Sequence, residues 1–456
     1  MTIIGTKRTR SRGSAAPIVA LLLAAACGPA TEQPAVHEGA TGLQASAAPR
    51  NPDYRPFTLE QARSFHRRFE PSFLTWATGG ELTRYVYLHM SEFWPQIAVR
   101  ATGTARPLPV ATRDDVAGFA ARTAGGEVAV RDYLRSSPTD AAIVLHQGRI
   151  VFEDYSRMLP TDRHILFSVS KTLVSTAVAI LEDQGQVASD APIERYLPRL
   201  AGTAWAGTPV IDLLDMASGI DCREIHQEAD GCFWRFYDGF GWPMADRASD
   251  DPMAAVARMG RLQPSGQLFD YTSVDTEVLN WMIEAVSGLR YGDFVEREIW
   301  QRAGPEADAL ITTTPNGDAF SAGGVSMRLR DLARYGMLFT PSGRRGEAAP
   351  AISDAYLRKI QTGGRPDLMT AEQREGRRAR LGDESTRHNT YQWDIVTTDG
   401  DFYKGGVGGQ GLYVSPSRDL VIAWFATPTE TGEQTEMLAI ARQLATSGLF
   451  GEPASP

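Results

Sequence analysis

Lysine is the scarcest charged residue in this 456-residue chain. Four are present, Lys7, Lys171, Lys359 and Lys404, within a combined Lys and Arg count of 46. Arginine serves almost wherever a positive charge suffices, so each lysine asks for a reason. The chemical difference is that a buried lysine can lose its proton at working pH and an arginine cannot. Cysteine is also rare, at three, which excludes a disulfide-dense scaffold. No long hydrophobic run exists: Ala15–Cys27 is the longest, at 13 residues including Pro17, short of the ~20 a membrane span needs. A basic surplus is missing too. Asp and Glu number 55 and the net charge is −9, which argues against nucleic acid as a partner. Gly 43 and Pro 27 are too few for a collagen-like or disordered chain. What remains, 43% hydrophobic and 22% charged, is a globular composition with room for two domains.

Lys7, Arg8, Arg10 and Arg12 precede the apolar run, and Ala24, Ala25 and Ala26 stand before Cys27. A basic region, a short apolar region and small residues make a secretory signal. The cysteine directly after them is similar to a bacterial lipoprotein signal, with Cys27 lipidated and residues 1–26 removed. Residues 27–56, with Pro29, Pro34, Pro49 and Pro52 and no apolar period, then form a flexible tether. The expected location is the periplasm or cell envelope. Cys222 and Cys232 are left to pair in that oxidising compartment. His226 lies between them, but three ligands without a fourth make a poor zinc site.

Thr58 and Gln61 form a capping box that predicts a helix reaching about Phe69. Residues 57–135 are read as an N-terminal extension. Ile143–His146 and Arg149–Phe152 flank Gln147-Gly148 and predict a β-hairpin. Leu173, Ala177, Ile180 and Leu181 fall on one helical face ending at Gly185. Thr208-Pro209 predicts a helix start and Gly219 its close. Val278, Leu279, Met282 and Val286 mark a helix stopped by Gly288. Leu412–Val414 and Leu420–Phe425 predict strands, and Met437, Leu438, Ala441 and Leu444 a final helix. Strands at both ends with helices between give an α/β fold: a sheet domain from 136–200 and 311–456, and a helical domain at 201–310.

Lys171 follows Ser168 by three residues at the start of a helix, a spacing that shares one face and brings the amine within reach of the hydroxyl. The helix N-terminus adds a positive field that depresses the lysine pKa. Tyr271 stands before another helix, where it can relay protons. Lys404 is followed by Gly405 and Gly406, whose lack of side chains lets backbone N–H groups approach a ligand.

In this order the motifs resemble the serine β-lactamase, penicillin-binding-protein and esterase superfamily, on its class C-like branch. The nearest resemblance is to 6-aminohexanoate-dimer hydrolase-like proteins and family VIII-type esterases. Arg163–Ser168, Leu213–Gly219, Gly323-Gly324 and Arg330–Arg334 add to it, over roughly residues 57–447. The resemblance implies a mixed antiparallel sheet flanked by helices plus an all-helical insert. It also implies a serine hydrolase, a carboxylesterase or amidase, working through an acyl-enzyme on Ser168 with no cofactor or metal. Lys171 and Tyr271 share the base work, their order left open. Ser273, Lys404, Gly405, Gly406 and Val407 form the substrate and oxyanion wall. Two departures matter: Ser273 stands where the family has Asn, and Gly405 where it has Thr. Losing that Thr hydroxyl favours esters and linear amides over a β-lactamase or D,D-carboxypeptidase. The remaining alternative is a non-catalytic acylation sensor or scaffold. The expected partner is a small-molecule ester or amide; nucleic acid is not expected, and membrane contact would come only through the lipid on Cys27.

Overall fold

The computed structural model describes residues 51, 54–69, 79–224, 232–240, 251–345 and 350–451. The signal, Cys27, nearly all of the tether and His226 lie outside the described residues.

A seven-stranded antiparallel sheet forms the centre. Its order is Arg149–Asp154, Thr139–His146, Leu420–Ala426, Gly411–Ser415, Phe402–Gly405, Trp393–Thr397 and Thr386–Thr390. The expected hairpin is there, turned by Gln147 at φ 50° and Gly148 at φ 72°, the pair of left-handed residues that a two-residue turn needs. Strand Leu420–Ala426 has no polar face because the sheet is covered on both sides. Val421, Ala423 and Phe425 point into one core with Leu173, Val178, Leu279 and Met282. Leu420, Ile422 and Trp424 point into the other, with Ile440, Ala441 and Leu444 of the last helix, Met437–Ala445.

The described segments between 79 and 130 are built into this body. Gln96–Val99 pairs with Ala309–Thr312, which continues through Val325–Met327 to His164–Ile165 in a second, four-stranded sheet. Further along, the extended segment at 109–113 lies on the outer edge of the central sheet. Ile150 N–H donates to the Pro109 carbonyl, and the N–H groups of Ala111 and Arg113 donate to Ile150 and Val151. The edge strand Arg149–Asp154 is thereby hydrogen-bonded on both sides.

The Thr58 capping box starts helix Leu59–Arg68, and Gly288, left-handed at φ 69°, ends helix Ser273–Ser287. The helix expected from Thr208 differs. It is one short element, Val210–Leu214, with Pro209 as its uncapped N-cap residue. Thr208 stands one residue before the N-cap position, and its hydroxyl accepts from Arg261 at 2.7 Å instead. Gly219 belongs to the loop beyond, where a Cβ would collide with the Gln263 carbonyl.

Candidate active site

Ser168 sits in a single 3-10 turn, Phe167–Ser170, that leads directly into helix Lys171–Asp183. Phe167 holds φ 44°, a left-handed conformation that costs a non-glycine residue ~1–3 kcal/mol and clusters at functional turns. The turn is pinned from the side by Gly406. A Cβ there would strike the Leu166 carbonyl and the Phe167 side chain, so the two motifs touch only because position 406 is glycine. Among the described residues, neither the Ser168 nor the Val407 N–H donates to another group, as two oxyanion donors require.

Lys171 is buried, with Nζ 3.0 Å from Ser168 Oγ, 2.8 Å from Ser273 Oγ and 2.9 Å from the Ala322 carbonyl. Burial, with the opposing pull of Glu224 and the added push of nearby Lys404, brings its pKa down to about 8, Glu277 and Asp394 also working to raise it. The ring of Tyr271 lies between the two lysines, 5.3 Å from Lys171 Nζ and 4.8 Å from Lys404 Nζ at its centroid. Burial and the carboxylates of Asp394 and Glu224 push the Tyr271 hydroxyl well above its ordinary pKa, opposed by a hydrogen bond with Ser168.

Lys404 and Gly405 close a strand of their own, Phe402–Gly405. Lys404 is fully buried and donates 2.6 Å to Asp394 Oδ1 and 3.2 Å to the Tyr271 hydroxyl. Burial pushes the Asp394 carboxyl up, but Lys404 and the Gly405 N–H outweigh it and hold it below the usual range. The Lys404 charge is therefore spent on Asp394 and Tyr271 inside the protein. Gly405, Gly406 and Val407 line an open cleft of about 510 Å³ with Ser168, Tyr271 and Glu224. Its far wall is helix Ala371–Leu381, through Gln373, Arg377 and Arg380. Arg377 packs 4.5 Å over the Phe269 ring and donates to the Asp394 carbonyl at 3.0 Å.

Of the residues singled out, Ser168, Tyr271, Gly405, Gly406 and Val407 line this one cleft, while Lys171, Ser273 and Lys404 are buried behind it. Cys222 and Cys232 are joined as a disulfide, two residues from Glu224. Sequence reading missed Glu224, Glu277, Asp394 and the two arginines. Only Glu224 had a cue, its closeness to Cys222; the others are single polar residues in ordinary strands and helices.

The beta-lactamase family model matches residues 127–447. The 6-aminohexanoate-dimer hydrolase of Paenarthrobacter ureafaciens is 31% identical over 360 residues, 77% of this chain and 87% of that protein. Among solved structures, a Bacillus anthracis protein assigned as a 6-aminohexanoate-dimer hydrolase aligns at TM-score 0.65 and 22% identity, over 83% of this chain and 97% of its own. EstCE1, a hydrolase with promiscuous acyltransferase activity, aligns at TM-score 0.52 and 16% identity over 69% and 95%.

Proposed function

This chain belongs to the beta-lactamase family and is a hydrolase; from that premise we propose that it cleaves esters and linear amides in two steps through an acyl-enzyme on Ser168. The observation that carries the reading is the 3.0 Å contact between Ser168 and a buried Lys171 whose pKa is brought down to about 8. At neutral pH about a tenth of such a lysine is unprotonated. Tyr271 is pushed in the opposite direction, so Lys171 is the first base. It takes the Ser168 proton as Oγ attacks the carbonyl, and the N–H groups of Ser168 and Val407 receive the oxyanion. Tyr271, held between the two lysines, gives a proton to the leaving group and is reprotonated by the Lys171 ammonium, which leaves Lys171 neutral again. Water then attacks the acyl-enzyme, its proton passing to Lys171 and from there to Ser168 Oγ as the acid leaves.

Two features support esters and amides over β-lactams. The relative at 31% identity is named for the dimer of 6-aminohexanoate, which is joined by an amide. The space of the missing Thr hydroxyl is also taken, since a Cβ on Gly405 would collide with the Tyr403 hydroxyl. Arg380 lines the cleft and has no carboxylate within ion-pair distance among the described residues, which suits a substrate bearing an acidic group. A turnover panel of p-nitrophenyl acetate and butyrate, linear amides, nitrocefin and D-Ala-D-Ala peptides tests the reading. Esters and amides are expected to lead in kcat/KM; nitrocefin turning over faster than the esters would replace it with a β-lactamase. Export and anchoring belong to the same proposal: Cys27→Ala should abolish fatty-acid labelling and release the protein from membranes.

A further inference from the structure

We propose that Glu224 is a positioning residue that sets the direction of the Ser273 hydrogen bonds and so aims the Lys171 lone pair at Ser168. The inference rests on the serine-hydrolase reading above. A hydroxyl has one proton to give and two lone pairs, and a carboxylate can only accept. Ser273 donates twice to Glu224 Oε2, from its backbone N–H at 2.9 Å and from Oγ at 2.7 Å. With its one proton committed, Ser273 Oγ can only accept from Lys171 Nζ at 2.8 Å. The Ala322 carbonyl, at 2.9 Å, can likewise only accept. A neutral amine has two N–H bonds and one lone pair. Both N–H bonds go to the two obligatory acceptors, and the lone pair is left facing the Ser168 hydroxyl at 3.0 Å. Once the serine proton arrives, the ammonium has three donors for three oxygens.

Both acceptors are held from outside the lysine helix. Glu277 accepts from the Ser321 hydroxyl at 2.7 Å and the Ala322 N–H at 3.0 Å, fixing the Ala322 peptide. Glu224 is held by its loop. The Cys222–Cys232 disulfide anchors that loop. Arg223 pairs with Asp270 at 2.7 Å, and the Glu224 N–H donates to the Tyr271 carbonyl at 3.4 Å. Helix Ser273–Ser287 has no side-chain cap of its own from Thr272, and Glu224 supplies one from a separate segment. Without that carboxylate the Ser273 hydroxyl is free to turn and donate into the lysine lone pair, in competition with Ser168.

The charged groups facing Lys171 are Glu224, Glu277 and Asp394, which raise its pKa, and Lys404, which lowers it; Tyr271 presents its ring. Replacing Glu224 by Gln removes one raising charge but keeps an oxygen to accept from Ser273. The test measures ester turnover and fluorophosphonate labelling against pH for wild type, Glu224→Gln and Glu224→Ala. Glu224→Ala is expected to lose ~10–100-fold in kcat with KM little changed, part of the ~10²–10⁴ that a positioned base supplies. Glu224→Gln should restore most of that loss and move the acid limb to lower pH. Equal losses in both variants would overturn the proposal, as would Glu224→Ala with the wild-type rate and limb. If Glu224→Ala does not fold, Glu224→Gln decides alone: a rate near wild type with a lowered limb supports the proposal, and an unmoved limb or a loss beyond tenfold overturns it. Labelling that persists in Ser168→Ala would instead refute the serine nucleophile itself.

Discussion

A lysine base and an arginine differ by one property, the ability to be neutral, and the pH profile reads it directly. Since neutral Lys171 is the active form, kcat/KM should climb as pH rises through about 8 and level off above it. A flat profile between pH 6 and 9 would contradict the assignment. Lys171→Arg preserves the charge and should still cost ~10²–10⁴-fold in kcat, while Ser168→Ala should abolish covalent labelling. Position 405 makes a second residue-scale prediction. Restoring the Thr found in β-lactamases places its Cβ against the Tyr403 hydroxyl. Tyr403 is buried and stacked on Trp424 at 5.7 Å, so it cannot swing aside. Gly405→Thr should therefore lose ~1–3 kcal/mol of stability, the usual range for overpacking, and gain no nitrocefin turnover. Denaturant unfolding and a nitrocefin assay check both halves.

At the scale of elements, the loop Asp221–Glu224 is where stability and chemistry meet. Its disulfide closes a separation of 10 residues, a constraint that stabilises by ~2–3 kcal/mol in the chain-entropy treatment. The Cys222→Ser/Cys232→Ser variant should therefore melt earlier. It should also lose kcat more than KM, because Glu224 loses its anchor. Wild-type turnover in the fully reduced, folded protein would show that the loop holds itself without the bridge. Elements with a local signature were legible from the chain alone: the Gln147-Gly148 turn, the Thr58 capping box, the Gly288 stop, and the Ser168 and Lys171 pair. Thr208 misled because the helix starts after Pro209, one residue further on, and the Thr208 hydroxyl turns to Arg261 from a distant segment. Strands Thr386–Thr390 and Trp393–Thr397 left no pattern because both of their faces are largely buried and polar residues interrupt them. Arg380 was invisible because its meaning lies in partners from other segments, and Glu224 was marked only by its closeness to Cys222.

For the whole molecule, the central sheet between two cores explains how Ser168, Tyr271 and Lys404 come together from distant parts of the sequence. Strand Phe402–Gly405 carries Lys404 to the turn bearing Ser168, and the two helices bearing Lys171 and Ser273 pack in the same core. The segment at 109–113 that lies along Arg149–Asp154 has a practical consequence. The family match begins at residue 127, an inviting place to start a shortened protein for expression. Such a protein would keep Ser168, Lys171, Tyr271 and Lys404 yet uncover a row of backbone donors and acceptors on the outermost strand. A bare edge of that kind pairs with its copy in another molecule. Chains begun at 127 should therefore elute as dimers and larger aggregates on size exclusion at concentrations where the chain begun at 55 does not. Equal elution of the two, each as a single species of matching mass, would show that the edge needs no cover.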